Sequence, residues 1–588
     1  MGAFFLFKNR EDFNENAVKQ IFFDKGFNLP REFNLEEMTL WLYRKQLVEE
    51  DNFFESETGS TIYSVGTIIY KGKSYRDSLA QFLTDFETCC IDVEQIIGSY
   101  CLIIYCGGKL SLFIDPINSY HTFINSSQTI ISSSFLALLK AHRRKLKLNR
   151  PACLENLTTG FITGPDTIVE GIQLINGQLI KQIKSNLFEF PDFSIDMQLG
   201  SLCSNGIESC VRDQVDHLIE YYHQIEPCAK QYGVDLGLSG GYDSTLIFSL
   251  CDYLSVKPAI HTHWTDDSHS ATKKSAEEIA ATRGLDVKCI RTKDPDIMSE
   301  EEINSNIKEL IYYFDGRNCQ GFGFYTEVYT KSYRKRILGD NKLGLNGIAG
   351  EIYRNWDRNG YKKVNFADWM FRTLMFNSVK YAFRERKDRI SNTNYIKEKT
   401  AAILGLNNIN TIDNYTIRRY YGEVRSPYSH AVKSNSEHQL SFFLTPFGEY
   451  QSIRLAYKAL PYLGLTGKFQ SAMIKSLDGN VADNITSSYG FPLSKEPLSY
   501  RMRGNVRGYL PFKLQIFRDY YHDWHNKDRF DHLNNVLAKS ELIREIIELI
   551  QELFPEVIWE RIFTDKYSIQ HVVFTGAVLK HFSDCISY

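Results

Sequence analysis

The stretch that most constrains this chain is Val234 to Leu250, VDLGLSGGYDSTLIFSL. An apolar run of strand length ends at Leu238, the chain turns through Ser239-Gly240-Gly241-Tyr242-Asp243-Ser244, and a helix-like run follows. A strand, a glycine turn and a helix N-terminus together make a cradle for an anion. Gly240 and Gly241 allow positive φ and a close backbone approach. The unpaired amides of the first helical turn point at the ligand from the positive end of the helix dipole. Ser239, Ser244 and Thr245 add hydroxyl donors. Asp243 would repel a bare anion, so its presence predicts Mg2+ between carboxylate and phosphate. An ordinary glycine turn capped by Asp and Ser is the plainer alternative. The Walker pattern is ruled out, because no G-K-[ST] follows.

At 588 residues and 43% hydrophobic, the chain predicts more than one domain. Its 68 basic and 71 acidic side chains are nearly balanced, which gives no electrostatic footprint for nucleic acid. Twelve cysteines without a C-x-x-C pair argue against a zinc or disulfide framework and for reduced thiols in a cytoplasm. No run of about 18 apolar residues is present, so no membrane span is expected. The N-terminus MGAFFLFKNREDF lacks the positive region and long apolar core of a signal peptide.

Up to about residue 190 the pattern is strands and short turns. GSYCLIIY, CGGK and LSLFID (Gly98 to Asp115) predict a hairpin around Gly107-Gly108. Ser126 to Ser134 predicts a further strand and Phe135 to Lys145 a helix. Ile207 to Tyr222 places its apolar residues on one helical face. After the glycine loop come a strand over Val256 to Thr265, a helix over Ala271 to Gly284 and a strand over Leu285 to Thr292. Strand and helix in alternation predict a parallel, doubly wound sheet. Its ligand site is expected at the C-terminal ends of the strands, where the Ser239 loop sits. His261-x-His263 followed by Asp266, Asp267 and His269 leaves a metal cluster open as an alternative to core or ligand-wall roles. The last 60 residues predict amphipathic helices, either a cap or a partner surface.

S-G-G-Y-D-S resembles the PP-loop, S-G-G-x-D-S, of the ATP pyrophosphatase superfamily, and the chain as a whole resembles asparagine synthetase-like proteins. GSYCLIIYCGGKLSLFIDP and GFITGPDTIVEGIQLI are similar to segments of the class II glutaminase domain that opens those proteins. The resemblance implies an α/β chain. Residues 1–190 would form an Ntn-type, αββα-layered glutaminase-like domain. Residues 191–588 would form a doubly wound parallel-sheet PP-loop domain with a helical C-terminal region. The glutaminase chemistry is missing: such domains use an N-terminal Cys with its own amine as base, and here position 2 is Gly and the first Cys is Cys89. The family's Asn-Gly-Glu falls near Val65-Gly66-Thr67, and its glutamine-gripping Asp falls near Asp92. β-Lactam synthetases and lasso-peptide cyclases show the same loss and use an amine other than ammonia.

LGLNGIAGEIYR (Leu343 to Arg354) resembles the family's L-S-G-x-G-x-D-E beneath the nucleotide. The match implies that Asn346 and Gly347 face the phosphates and that Glu351 serves as a second Mg2+ ligand beside Asp243. The family's metal-binding Asp falls on Gly350, and its residue facing the acceptor amine falls on Ile348. His263 corresponds to the strand against the nucleotide. Lys468, or secondarily Lys475, stands for the lysine that neutralises the α-phosphate, with an exposed helix lysine as the alternative; strict register gives Ser471. Glu385 in KYAFRERKDR is the candidate for the acid that supports the base, with a solvated mixed-charge helix face as the alternative. TSSYGFPLS (Thr486 to Ser494) is similar to the family's segment over the site.

The implied cofactors are ATP and Mg2+. The implied reaction is adenylation of a carboxylate with release of pyrophosphate, then amide formation with a non-ammonia amine, either of a second molecule or of the same small-molecule or peptide substrate. Ammonia-dependent amidation of a small or sugar acid, and a non-catalytic ATP-binding role, are the alternatives. No nucleic-acid or membrane partner is implied.

Overall fold

The computed structural model describes residues 2–588 except 192–201, 265–269, 292–297, 319–322, 325, 358, 377, 408, 526–537, 539 and 564–565. The chain has a mixed α/β fold, β-rich at the front and built behind on a parallel sheet with helices.

Near-continuous apolar runs such as Ala3–Lys8 and Tyr100–Cys106 form two antiparallel sheets in the front half. One runs Ile172–Leu174, Phe123–Asn125, Ile130–Ser132, Ala3–Lys8, Met38–Tyr43 and Arg31–Leu35 in spatial order. The other runs Phe53–Glu55, Thr61–Gly66, Tyr100–Cys106 and Lys109–Ile114. Successive strand residues point to opposite faces, and here both faces are buried. Phe4, Leu6, Leu40 and Leu42 meet Tyr63, Val65, Cys101 and Ile103 of the facing sheet. Phe5, Trp41 and Tyr43 on the other face pack against the helices Glu15–Asp24 and Phe135–Ala141. The helix Tyr75–Glu87 lays Leu79, Phe82 and Leu83 on Ile62, Leu102 and Ile104. The layers are therefore helix, sheet, sheet, helix.

The expected hairpin forms, with Cys106 opposite Lys109 and both glycines of its turn at positive φ. The strand expected over Ser126 to Ser134 shrinks to Ile130–Ser132. The helix expected to reach Lys145 stops at Ala141, because Arg143, Arg144 and Lys145 are exposed and offer no apolar face to bury. The helix beginning at Ile207 runs on through Pro227 to Tyr232.

In the back half, five strands pair in parallel in the order Val287–Arg291, Ala259–Trp264, Val234–Gly237, Leu343–Leu345, Phe442–Leu444. Helices such as Tyr242–Leu250, Ser270–Ala281 and Lys331–Leu338 lie between them in the chain, as parallel crossovers require. In chain order the strands read third, second, first, fourth, fifth. The winding reverses beside Val234–Gly237, so the gap between it and Leu343–Leu345 is the topological switch point.

The two halves share their packing. The backbone amides of Gln46 and Leu47 donate to the carbonyls of Gln439 and Leu440 at 3.0 and 2.9 Å. Leu146–Lys147 pairs with the final strand Ile586–Ser587. The helix Lys566–His581 buries Ile569, Val572 and Val573 in the same core as Cys153 and Leu157 of Arg150–Thr159. The C-terminal helices thus cover the front half. Among the described residues no disulfide forms, and no helix is long and apolar enough to cross a membrane.

Glu449 sits buried at the junction, accepting from the Gly98 amide at 2.9 Å and from the Tyr221 hydroxyl. Burial pushes its carboxyl up to about 8, against the lowering effect of those two donors. A raised folded-state value means a stabilising contribution that is whole below the unfolded value and is lost as pH rises through about 8. The melting temperature is expected to fall as pH rises from 4.5 to about 8, and the fall is expected to flatten in Glu449→Gln; equal slopes for the two proteins would show that this carboxyl does not titrate in that window.

Candidate anion-binding site

The loops leaving the two switch-point strands lie against each other. The first carries Leu238 to Gly241 into the helix Tyr242–Leu250, whose first turn has no side-chain cap. Its amides are left to whatever stands in front of them. Gly240 has φ +70, and a Cβ there would lie 2.4 Å from Cβ of Ser275. The Ser239 and Ser244 hydroxyls pair at 2.9 Å, and Ser244 Oγ accepts from the Ser239 amide at 3.1 Å. Leu238 through Ser244 thus form a turn between the strand Val234–Gly237 and the helix Tyr242–Leu250.

The second loop explains its own departures from the resembled pattern. A Cβ on Gly347 would lie 2.9 Å from the Asp243 carbonyl carbon, and one on Gly350 would lie 2.2 Å from Asp243 Oδ1. No carboxylate can stand at position 350 while Asp243 keeps its place. Asn346 turns inward on its own loop, accepting from the Ile348 amide at 2.9 Å. Between the two glycines Ala349 holds φ +71, a left-handed conformation that costs about 1–2 kcal/mol in a residue with a Cβ.

Asp243 and Glu351 do converge, but on a guanidinium. Arg354 Nη2 donates to Asp243 Oδ2 at 2.8 Å, and the same nitrogen lies 3.0 Å from Glu351 Oε1. Gln470 Nε2 donates to Asp243 Oδ1 at 2.7 Å, and the Tyr421 hydroxyl donates to Glu351 Oε2 at 2.6 Å. Burial pushes the Asp243 carboxyl up to about 6; Arg354 opposes this and the Glu351 charge adds to it. Burial would raise Glu351 as well, but Arg354, His430 and the Tyr421 hydroxyl hold it down at about 2. Each of the four carboxylate oxygens already has a polar partner. A Mg2+ ion shared by Asp243 and Glu351 does not fit this arrangement, because Nη2 occupies the bridging position. Among the described residues no group of three or more His, Cys, Asp or Glu could hold a metal.

Arg354, Gln470, Tyr421 and His430 were not singled out from the sequence. Arg354 lies three residues after Glu351, one helical turn, the spacing at which opposite charges meet. Tyr421 and His430 come from Tyr420–His430, a π-helical segment, and such segments are concentrated at functional sites. Nothing in its residue pattern marks it.

The other expected residues are placed elsewhere. Lys468 is exposed at the start of Lys468–Leu477 and does not line the cleft described below. Lys475 pairs with Asp483 at 3.0 Å, and Ser471 donates to the Leu493 carbonyl at 2.8 Å. Glu385 precedes the helix Arg386–Ile403 and pairs with Lys387 at 2.8 Å on an exposed face, which is the solvated alternative. His261 donates to Asp235 at 2.9 Å, and His263 shares a 2.8 Å hydrogen bond with the Tyr333 hydroxyl. Burial, with His261 next in effect, drives His263 down to about 3, so it is neutral near pH 7. Asp266, Asp267 and His269 lie outside the described residues.

The Thr486–Ser494 segment does stand over the glycine loop. The Ser488 amide donates to the Gly240 carbonyl at 3.3 Å, and Tyr489 packs on Tyr242 with ring centroids 5.2 Å apart. Beside it opens a cleft of about 500 Å3. Tyr242, Glu351, Arg354, Tyr489, Tyr500 and Arg503 contribute to its wall. In the front half, a Cβ on Gly2 would lie 2.4 Å from the Arg44 carbonyl oxygen, so position 2 has no room for a nucleophilic side chain. Thr67 Oγ1 accepts from the Phe443 amide at 3.0 Å, and Asp92 caps a short helical turn.

No protein-family model matches the chain, and a search of curated proteins finds no match for it.

Gly350→Ala is expected to cost about 1–3 kcal/mol of stability by overpacking, measured by urea denaturation. Gly479→Ala, where a Cβ meets nothing within 4 Å, is expected to be neutral or slightly stabilising. Equal effects at the two positions would contradict the close contact between the loops.

Proposed function

We propose that the chain is an ATP-dependent ligase of the asparagine synthetase-like kind, with a PP-loop domain behind a glutaminase-like domain that has lost its nucleophile. The observation that carries this reading is the position of the glycine loop. Ser239 to Ser244 lies at the switch point of a parallel sheet, where open α/β folds bind their ligands. The second loop lies beneath it and the Thr486–Ser494 turn above it. The layering of the front half supports the resemblance to glutaminase domains, and the packed backbone around Gly2 supports its inactivity.

In the first step an oxygen of the substrate carboxylate attacks the α-phosphorus of ATP. The bond to the bridging oxygen breaks, and pyrophosphate leaves with the electron pair. This chain's contribution is to bind and neutralise the departing phosphates. The open amides of the Tyr242–Leu250 helix, the Ser239 and Ser244 hydroxyls and the Arg354 guanidinium would do this from fixed positions, which is where electrostatic catalysis gains most. Asp243 is then a positioning residue that, with Gln470, orients Arg354. In the second step an amine attacks the acyl carbon and AMP leaves. An amine on the same small-molecule or peptide substrate needs less help, because proximity replaces much of the catalysis.

A second reading, a non-catalytic nucleotide-binding relative, is favoured by one specific observation. Lys468 and Glu385, the expected catalytic residues, are both exposed, and neither lines the cleft. Release of pyrophosphate from ATP, screened against carboxylic acids with and without ammonium, separates the readings. Acid-dependent release supports the ligase, and an ammonium requirement would make it an ammonia-dependent amidase. ATP binding without release for any acid leaves the non-catalytic reading. Asp243→Asn is expected to slow release by about 100-fold or more, the scale of losing one oriented transition-state partner, with the melting temperature little changed. Unchanged release in that variant would remove Asp243 from the site.

A further inference from the structure

The helix Leu498–Tyr509 is largely exposed, with Gly508 its one buried residue. Tyr500, Arg503, Gly504 and Arg507 recur at three- and four-residue spacing and line the cleft beside the glycine loop. Leu498, Met502, Val506 and Tyr509 recur on the opposite face and are 64, 58, 60 and 59% exposed. An amphipathic helix ordinarily buries its apolar stripe and exposes its charges. Here neither face is buried: Arg503 and Arg507 are exposed too, but they stand on the face that lines the cleft.

Arg354 and Arg518 also line the cleft, so among the described residues four arginines and one carboxylate, Glu351, contribute to its wall. Of its lining residues, Tyr242, Asn355 and Trp356 each also carry a buried polar atom without a hydrogen-bond partner among the described residues, the Tyr242 hydroxyl, Asn355 Oδ1 and Trp356 Nε1. Such atoms are rare in folded proteins. Arg354 spends Nη2 on Asp243 and Glu351, and its Nε and Nη1 have no hydrogen-bond partner among the described residues. Tyr242, the first residue of the Tyr242–Leu250 helix, is part of the cleft wall, so the cleft adjoins the glycine loop. Its volume of about 500 Å3 accepts a chain of two or three phosphates.

We propose that this cleft holds a phosphoanhydride tail, as part of a nucleotide or as free pyrophosphate, with guanidinium groups standing where a divalent cation would otherwise neutralise it. The proposal rests on the nucleotide reading above and replaces its metal. Planar guanidinium forks match phosphate oxygens in pairs, and Arg354 already bridges the two carboxylates that would have shared the ion. Binding is therefore independent of Mg2+.

The test is calorimetric titration of the full chain with inorganic pyrophosphate, tripolyphosphate and ATP, each in EDTA and in excess Mg2+. The expected result is binding in EDTA at least as tight as in Mg2+. Arg503→Gln with Arg507→Gln, both on an exposed helix, is expected to weaken it by about tenfold or more, the worth of one or two charge-assisted contacts. Arg354→Gln frees Asp243 and Glu351 and is expected to make binding Mg2+-dependent. Comparison of ATP with pyrophosphate tells a nucleotide tail from a free anion. ATP binding that requires Mg2+ in the unaltered chain would overturn this proposal and leave the nucleotide reading standing. Absence of ATP binding in both media would overturn both. Pyrophosphate binding in EDTA that survives the Arg503/Arg507 change would also overturn the proposal, by placing the anion outside this cleft.

Discussion

One guanidinium nitrogen holds the site together. Arg354 Nη2 reaches both Asp243, on the helix after the first sheet strand, and Glu351, on the turn after the fourth. Three largely buried charges in one place are costly unless each is paired, and the geometry pairs them. Gly347 and Gly350 let the two loops approach until their backbones nearly touch, and Gln470 and Tyr421 take the remaining carboxylate oxygens. Removing the arginine would leave two acids facing each other at low dielectric, so the loops, the turn over them and the cleft wall depend on that contact.

A second buried network fixes the sheet below. Arg334 donates to Asp235 at 2.8 Å and to Glu437 at 2.6 Å, while His261 donates to Asp235 from the neighbouring strand. Asp235 is held down at about 2: burial opposes ionisation, and His261 and Arg334 outweigh it. This network ties the first and second strands to the helix Lys331–Leu338 and to Ala431–His438. Both rings of the His-x-His pair are engaged through Nδ1. One ring serves the ion-pair network and the other serves Tyr333.

Much of the architecture was legible in the chain itself. The hairpin around Gly107-Gly108, the alternation of strand and helix after Val234 and the glycine loop all follow from local rules of turn geometry and apolar period. Those rules act between residues a few positions apart. Glu385 and Lys468 show where they stop. Each sits at a plausible distance along the chain, yet where a helix starts and which way it faces are set by packing against elements far away in sequence. Arg354 was hidden for the opposite reason. An arginine three residues after a glutamate reads as an ordinary surface pair until Asp243, more than a hundred positions earlier, is brought beside it.

The sequence by itself determined that a strand, two glycines and a helix start would form an open-amide turn, because positive φ and unpaired amides are properties of the residues concerned. It also determined that position 2 carries no nucleophile. Only the tertiary structure decided what stands opposite that turn. The partner of Asp243 is a cation from the chain, a side chain at 350 would crowd Asp243, and Arg503 and Arg507 of the helix Leu498–Tyr509 line the cleft. Each of these depends on distances between loops that no local pattern encodes, since they arise from the order in which parallel strands pair across the sheet.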